Sequence, residues 1–126
     1  MDVTIQHVNK RFGQKQVLQG IDLRITSGQC VALVGPSGSG KTTLLRLIAG
    51  LEKVSDGNIR FGEIDMTHAA PNQRGVTMLF QRPLLFPHLT VGQNIRLGMA
   101  KGHHEDLQQW LEKVGLAGRT DAFVHE

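Results

Sequence analysis

The sequence has few of the features that mark secreted or membrane-spanning proteins. Its 126 residues include one cysteine, Cys30, and no tyrosine. A single thiol excludes a disulfide within the chain and is typical of a reducing compartment. No apolar stretch approaches the ~20 residues that a membrane helix needs. The polar residues Asp2 and Thr4 near Met1 are unlike a signal peptide, so we expect a soluble chain.

Charge of either sign is also not concentrated anywhere. The 14 basic and 11 acidic side chains leave a net charge of +3 and are scattered along the chain. A nucleic-acid surface would show clustered lysines and arginines interleaved with aromatic residues, so no nucleic-acid partner is expected. With 40% hydrophobic residues, the chain has globular composition and room for one domain at most.

The most informative stretch matches G-x-x-x-x-G-K-[ST], the phosphate-loop pattern. An apolar run before it, Cys30 to Val34, predicts a strand buried on both faces in a parallel sheet, with Cys30 as a small buried side chain. Apolar residues at helical spacing from Thr42 to Ala49 predict a helix, and Gly50 its end. The loop residues are Gly35, Pro36, Ser37, Gly38, Ser39, Gly40, Lys41 and Thr42.

A strand, a glycine-rich turn and a helix in this order predict a site for a nucleoside triphosphate. Glycines let the backbone approach a pyrophosphate and turn N–H groups toward it, while the helix directs its positive end at the same anion. Lys41 would reach the β- and γ-phosphates, and the Thr42 hydroxyl would hold Mg²⁺. The alternative is a turn with no ligand, and residue frequencies produce the pattern by accident in roughly one chain in a hundred of this length.

Alternating apolar residues on either side of a turn from Asn9 to Gly13 predict antiparallel strands that precede the parallel core. The first strand begins at Val3, and the second closes at a turn around Gly28. Phe12 is an aromatic residue at the tip of the first turn. Two roles are open for it: stacking on a flat ring, or capping the sheet as a loop residue.

Two further strand predictions come after the loop helix. A short pair bent at Gly62 is predicted for Ile59 to Asp65; since the bend interrupts the apolar run that a metal-binding carboxylate should follow, Asp65 is a weak metal candidate. Val76 to Phe80 is a second candidate for a buried parallel strand, and Gln81 stands at its carboxyl end, where ligands sit in open α/β sheets. Gln81 either orients water and completes the Mg²⁺ shell or is an ordinary loop amide.

The segment from Arg82 to Leu89 carries four large apolar side chains beside two prolines, which exclude a helix. Either the core or a partner protein must cover these side chains. Thr90 and Gln93 then form a predicted capping box that opens a helix, with Ile95 and Met99 as its buried residues.

A last helix is predicted from about His104 to Val114, ending at Gly115. Its apolar residues recur at i, i+3, i+4 and i+7, which predicts Trp110 in the core. They are Leu107, Trp110, Leu111 and Val114.

Together these motifs resemble the nucleotide-binding subunit of ATP-binding-cassette (ABC) transporters, and the resemblance runs from Val3 to Glu126. Lys10 to Gly13 is similar to the family's aromatic adenine-stacking loop, and Gly35 to Thr43 is similar to its Walker A loop. The family's Q-loop region is resembled by Met78 to Gln81, Leu85 to Val91, and Asn94 with Ile95.

The resemblance implies an α/β phosphate-loop NTPase with an antiparallel β subdomain, an incomplete parallel core sheet and the beginning of a helical subdomain. The nucleotide-binding core would cover residues 1–87 and the helical part residues 88–126. ATP and Mg²⁺ would be the cofactors, with Phe12 stacked on adenine, Gly35 to Thr43 around the phosphates, and Thr42 and Gln81 on the metal. Lys41 and Gln81 would act in ATP hydrolysis.

The resemblance also implies partners and a location. Transmembrane permease subunits would dock on Leu84 to His88, and a second ATP-binding subunit would complete a dimer. The protein would be cytoplasmic and peripheral on the inner face of the cell membrane, where ATP hydrolysis energises import. The sequence does not carry the identity of the solute.

The sequence departs from the family beyond the Q-loop region. No apolar run ending in Asp-Glu, the family's Walker B pattern, occurs in it, and neither does an LSGGQ-like signature. We therefore expect an amino-terminal portion that does not hydrolyse ATP alone. Two alternatives remain open: a soluble ABC-type ATPase acting on ribosomes or DNA, and an unrelated phosphate-loop kinase or switch. The N-K-x-D stretch of a guanine-specific switch is absent.

Overall fold

The computed structural model describes residues 1–82, 84–99 and 107–125. The chain forms two compact units, Met1–Met78 and Leu79–Glu126. The first unit contains β1 (Val3–Phe12), β2 (Lys15–Ile25), α1 (Lys41–Ala49), β3 (Asp56–Phe61), β4 (Ile64–Asp65) and a 3₁₀ turn (Pro71–Gln73). The second contains α2 (Val91–Gly98) and α3 (Leu107–Lys113).

The first unit is built on an antiparallel sheet, as its alternating apolar residues predict. The strand order is β2-β1-β3-β4. In the β1–β2 hairpin, Phe12 pairs with Lys15, so the turn consists of Gly13 and Gln14 alone. The predicted turn from Asn9 to Gly13 is wrong in extent, because strand pairing continues to the last residue of β1.

The core of this unit lies between the sheet and α1. β3 and β4 form the predicted short pair around Gly62. α1 ends at Gly50 as predicted, since a φ of 77° places this residue in the left-handed conformation that stops helices. The buried cluster contains Ile5, Val8, Leu18, Leu44, Leu47, Ile59 and Phe61.

The two predicted parallel strands are not strands in this structure. Neither residues 30–34 nor residues 76–80 have strand conformation, Val34 is 93% exposed, and Cys30 is exposed. A buried strand is held by the backbone hydrogen bonds of its neighbours and by layers on both faces. The described residues supply neither to these stretches. The parallel sheet is therefore not confirmed in the described chain, and the prediction of a buried Cys30 is wrong.

In the second unit, the capping box opens α2 as predicted. The Thr90 hydroxyl accepts a hydrogen bond from Gln93 N at 3.2 Å, and Gln93 Oε1 accepts one from Thr90 N at 2.9 Å. These bonds satisfy two N–H groups that helix geometry leaves without partners. Ile95 and Met99 are half-buried rather than fully buried.

α3 buries a narrower face than its sequence predicts. Leu107 and Leu111 are buried, but Trp110 is 54% exposed and Val114 is exposed as well. The prediction that Trp110 lies in the core is wrong, because packing covers only positions i and i+4 of this short helix. Lys113 Nζ lies 4.8 Å from the centroid of the Trp110 ring. The predicted helical residues 104–106 lie outside the described residues.

Among the described residues the longest helix, α1, has 9 residues. No helix of this part of the chain combines the length and apolar character needed to cross a membrane.

Candidate functional site

The candidate site is the amino-terminal end of α1 with the glycine-rich loop that leads into it. Gly40 is the N-cap residue, with φ 93°, and no side chain caps the helix. The first turn of α1 contains no acidic residue. The N–H groups of this turn and the positive end of the helix dipole therefore face a place that suits an anion.

The loop itself is tight because two of its glycines lie against neighbouring groups. A Cβ on Gly35 would lie 2.9 Å from Ser39 Oγ, and one on Gly40 would lie 2.7 Å from Leu18 Cδ2. Gly38, with φ 80°, adopts the left-handed conformation that glycine favours. Ser39 N donates to Pro36 O at 3.2 Å across the turn. The loop is thus closed on itself and held against β2.

Lys41 places a full positive charge inside this loop. Its ammonium donates to Gly35 O at 2.7 Å, Pro36 O at 2.6 Å and Ser39 Oγ at 3.2 Å. Thr42 is exposed in the first turn of α1, and Thr43 beside it is half-buried. The donors gathered here, an ammonium, hydroxyl groups and uncapped backbone N–H groups, fit a polyphosphate.

Phe12 lies on the same sheet that supports the loop. It is 46% exposed at the tip of the β1–β2 hairpin, and Lys10 Nζ lies 4.6 Å from its ring centroid. Its pairing partner Lys15 is two residues before Val17, whose carbonyl oxygen would be 3.2 Å from a Cβ on Gly40. At about 3.4 Å of rise per strand residue, these two positions of β2 lie about 7 Å apart along the strand.

The carboxylate weighed as a metal candidate is engaged in local structure. Asp65 Oδ1 accepts from Thr67 N at 2.8 Å, and a hydrogen bond with the Thr67 side chain is the largest cause that lowers the pKa of Asp65. Within the described ranges, no three histidine, cysteine or acidic residues group as metal ligands would. Asp65 is thus bonded within its own turn.

Of the predicted site residues, Phe12 and residues 35–43 belong to the first unit, and Gln81 belongs to the second. Gln81 is exposed. The apolar segment from Leu84 to His88 also belongs to the second unit, with Leu84, Leu85 and Phe86 exposed.

Asn94, whose role the sequence does not reveal, is hydrogen-bonded to this apolar segment at Phe86. Asn94 Oδ1 accepts from Phe86 N at 2.9 Å. Asn94 Nδ2 donates to the carbonyl oxygens of Phe86, Leu89 and Thr90 at 3.0 to 3.2 Å. An amide one helical turn after the N-cap Thr90 is the sole sequence signal for this arrangement. Among the three exposed apolar residues, Asn94 thus bonds the backbone of Phe86 alone.

Leu85 also lines a mostly apolar cavity of about 460 Å³ within the second unit. α2 supplies one wall and the segment after α3 another. Its lining residues are Leu85, Val91, Asn94, Ile95, Leu116, Arg119, Ala122, Phe123 and Val124.

Sequence reasoning also missed Arg74, which fixes the carboxyl end of the loop helix. The guanidinium donates to Leu47 O at 2.9 Å and Ile48 O at 3.1 Å, and also to Ala69 O at 3.0 Å and Thr67 O at 3.3 Å. Arg74 is 3% exposed, and burial lowers its pKa. No local pattern signals this contact, because the helix carbonyls lie 26 and 27 residues earlier.

The chain is similar in sequence to one family of known proteins. The sequence profile of the family described as "ABC transporter" matches residues 18–126. The Fe(3+) ions import ATP-binding protein of Escherichia coli K12 is 43% identical over 98% of the chain and 37% of its own length. The sulfate/thiosulfate import ATP-binding protein of Salmonella typhimurium is 46% identical over 98% of the chain and 36% of its own length. The sulfate/thiosulfate import ATP-binding protein of Halalkalibacterium halodurans is 52% identical over 98% of the chain and 37% of its own length.

The chain therefore spans little more than a third of the length of the curated relatives that it matches.

Proposed function

Because the chain belongs to the ABC transporter family, we propose that it binds ATP with Mg²⁺ as the nucleotide-binding part of an importer's ATP-binding subunit. The observation that carries this proposal is the Lys41 ammonium, held within a glycine loop at the uncapped start of α1. A helix start with free N–H groups and an adjacent cation binds phosphate readily.

Each residue of the site has a proposed role. The backbone from Gly35 to Gly40 cradles the phosphates, Lys41 pairs with the β- and γ-phosphates, and Phe12 stacks on adenine. Thr43 supports the loop beside Thr42. When bound, Mg²⁺ neutralises charge on the phosphates, and the Thr42 hydroxyl with the Gln81 amide oxygen would hold it.

Lys41 needs little rearrangement to act in this way. An ammonium has three donors, and here they bond to two carbonyl oxygens and one hydroxyl of the loop. Phosphate oxygens that enter the loop replace some of these acceptors with charged ones, which form stronger hydrogen bonds. In the complete subunit, Lys41 and Gln81 would assist hydrolysis, with Gln81 orienting the attacking water.

The second unit would connect the nucleotide to a membrane partner. Leu84, Leu85 and Phe86 are exposed, and Asn94 bonds the backbone at Phe86, which suits a docking segment. We propose that the permease subunits contact Leu84 to His88, that a second ATP-binding subunit forms a dimer, and that the protein works at the inner membrane face. The helical subdomain would begin near residue 88.

The relatives named for Fe(3+) and for sulfate or thiosulfate import differ in the sign of the ion's charge. The proposal therefore extends to import and not to a particular solute.

The experiment is a titration with a fluorescent ATP analogue and Mg²⁺, comparing Lys41→Ala with the unchanged protein. Losing one charge-assisted contact of about 1.5 to 3 kcal/mol should weaken binding about ten- to hundredfold. Lys113→Ala, at an exposed lysine of α3, removes the same charge and should bind normally. Equal affinities of Lys41→Ala and the unchanged protein would refute the assignment of the loop.

A further inference from the structure

Lys10 is a buried lysine that the proposed function does not yet use. It is 8% exposed, which is unusual for a residue type that almost always reaches water. Its ammonium donates to Glu52 Oε2 at 3.0 Å and to Lys53 O at 2.7 Å. The same nitrogen lies 4.6 Å from the centroid of the Phe12 ring, within the range of a cation–π contact.

These contacts belong to a frame that joins the tip of β1 to the chain that leaves α1. Ser55 N donates to Asn9 O at 2.9 Å, and Arg11 N donates to Ser55 Oγ at 3.0 Å. Residues 52–55 therefore hold three consecutive residues of β1, the last of them directly before Phe12. The ring and the loop helix are thereby tied to one another through a short segment.

If the only role of Lys10 were to fill the space beside Phe12, an apolar side chain would be more stable there than an ammonium. Removing an ammonium from water costs free energy that an apolar side chain of similar length would not cost. The positive charge of Lys10 has a function if it interacts with the Phe12 ring. A cation over one face fixes the orientation of the ring, draws electron density toward itself and so favours an electron-rich aromatic partner on the opposite face. The 46% exposure of Phe12 leaves surface for such a partner.

We propose that Lys10 is a positioning residue for the base of the bound nucleotide: it holds Phe12 from one face and prepares the other face for adenine. This inference rests on the proposed function, since it concerns the ring assigned to adenine. Glu52 and the Lys53 carbonyl fix Lys10 in turn, so the segment after α1 takes part in base recognition without touching the base.

The test is a double-mutant cycle with Lys10→Met and Phe12→Leu, in which binding of ATP and of inorganic tripolyphosphate is measured by calorimetry. Lys10→Met keeps a long apolar side chain and removes the cation. It should weaken ATP binding about three- to tenfold and leave tripolyphosphate binding unchanged. In the Phe12→Leu background, Lys10→Met should change ATP affinity by less than about twofold, because the ring through which it acts is gone.

Lys10→Arg keeps a cation at this place and should restore most of the ATP affinity. If circular dichroism shows that Lys10→Met does not fold, the Glu52→Gln variant is tested in its place. Glu52→Gln should lower the affinity for ATP by a smaller factor and leave the affinity for tripolyphosphate unchanged. Equal losses for ATP and tripolyphosphate, or a loss that persists without the ring, would overturn the proposal and indicate a purely structural lysine. Failure of the unchanged protein to bind ATP would instead refute the proposed function.

Discussion

Replacing Arg74 by methionine tests how firmly the loop helix is anchored at its carboxyl end. The substitution keeps an apolar stem of similar length and removes the guanidinium that donates to four carbonyl oxygens. Leu47 O also accepts a hydrogen bond from Gly50 N at 3.1 Å, so of the four carbonyl oxygens it is the least affected by loss of the guanidinium. At about 1 kcal/mol for each of the other three, opening of this region should become easier by about 3 kcal/mol.

Hydrogen exchange of the backbone amides in α1 and β3 measures this opening directly. A loss of about 3 kcal/mol corresponds to a fall in protection of more than about a hundredfold. Arg74→Lys keeps a cation but lacks the planar guanidinium, so its amide protection should lie between that of Arg74→Met and that of the unchanged protein. Arg46→Met is the matched control: Arg46 is exposed in the last turn of the same helix, so its loss should remain within about 0.5 kcal/mol.

A fall in protection of less than about threefold for Arg74→Met, or one no larger than that of the control, would refute this reasoning. Such a result would mean that water or neighbouring groups satisfy the carbonyl oxygens as well as the guanidinium does.

Three further substitutions test other parts of the molecule. Gly40→Ala would place a Cβ 2.7 Å from Leu18 Cδ2 at a φ of 93°, so the free energy of unfolding in urea should fall by about 2 kcal/mol and ATP affinity should fall too. In the control Gly28→Ala, φ is 82° but the Cβ lies in open space, so the free energy of unfolding should fall by about 1 kcal/mol with ATP affinity unchanged. Asn94→Ala removes the amide that bonds the backbone of Phe86, Leu89 and Thr90 and should destabilise the second unit by about 2 kcal/mol. The fluorescence of Trp110, the one tryptophan, reports the loss, and no change would contradict the role of Asn94. Leu85→Glu, placed in a complete transporter, should leave ATP binding near normal and uncouple hydrolysis from import, because it puts a charge into the permease interface; loss of folding instead would assign Leu85 to the core.

The elements that sequence reasoning located correctly depend on residues close together in the chain. Thr90 and Gln93 are three residues apart, and each satisfies the backbone N–H of the other. Gly50 ends α1 through its own left-handed conformation. The β1–β2 hairpin follows from alternation on either side of a short turn. Such signals act within one helical turn or one strand pair, so a local pattern is enough to identify them.

The glycine loop belongs to the same group, since its conformation depends on a few adjacent residues. The pattern from Gly35 to Thr42 predicts a tight turn before a helix, and the structure has one, with the Lys41 ammonium inside it. Its roles toward ATP and Mg²⁺ stay predictions until binding is measured.

Predictions that required a neighbour elsewhere in the chain were less successful. Residues 30–34 and 76–80 are apolar enough for buried strands, but a strand exists only where other strands pair with it. Trp110 has the spacing of a core residue, yet the packing against α3 covers Leu107 and Leu111 alone among its apolar residues. Apolar character shows that a side chain can be buried, whereas burial itself needs a second surface.

Composition and short-range spacing thus determined the hairpin, the helix ends, the phosphate-loop pattern and the family resemblance. Only the tertiary structure decided which polar side chains support them. Lys10 reaches Glu52 across 42 residues, and Arg74 reaches Leu47 across 27. The energy of each contact depends on the removal of charge from water and on the direction of a few hydrogen bonds. Both quantities arise when distant segments meet, so no spacing along the chain contains them.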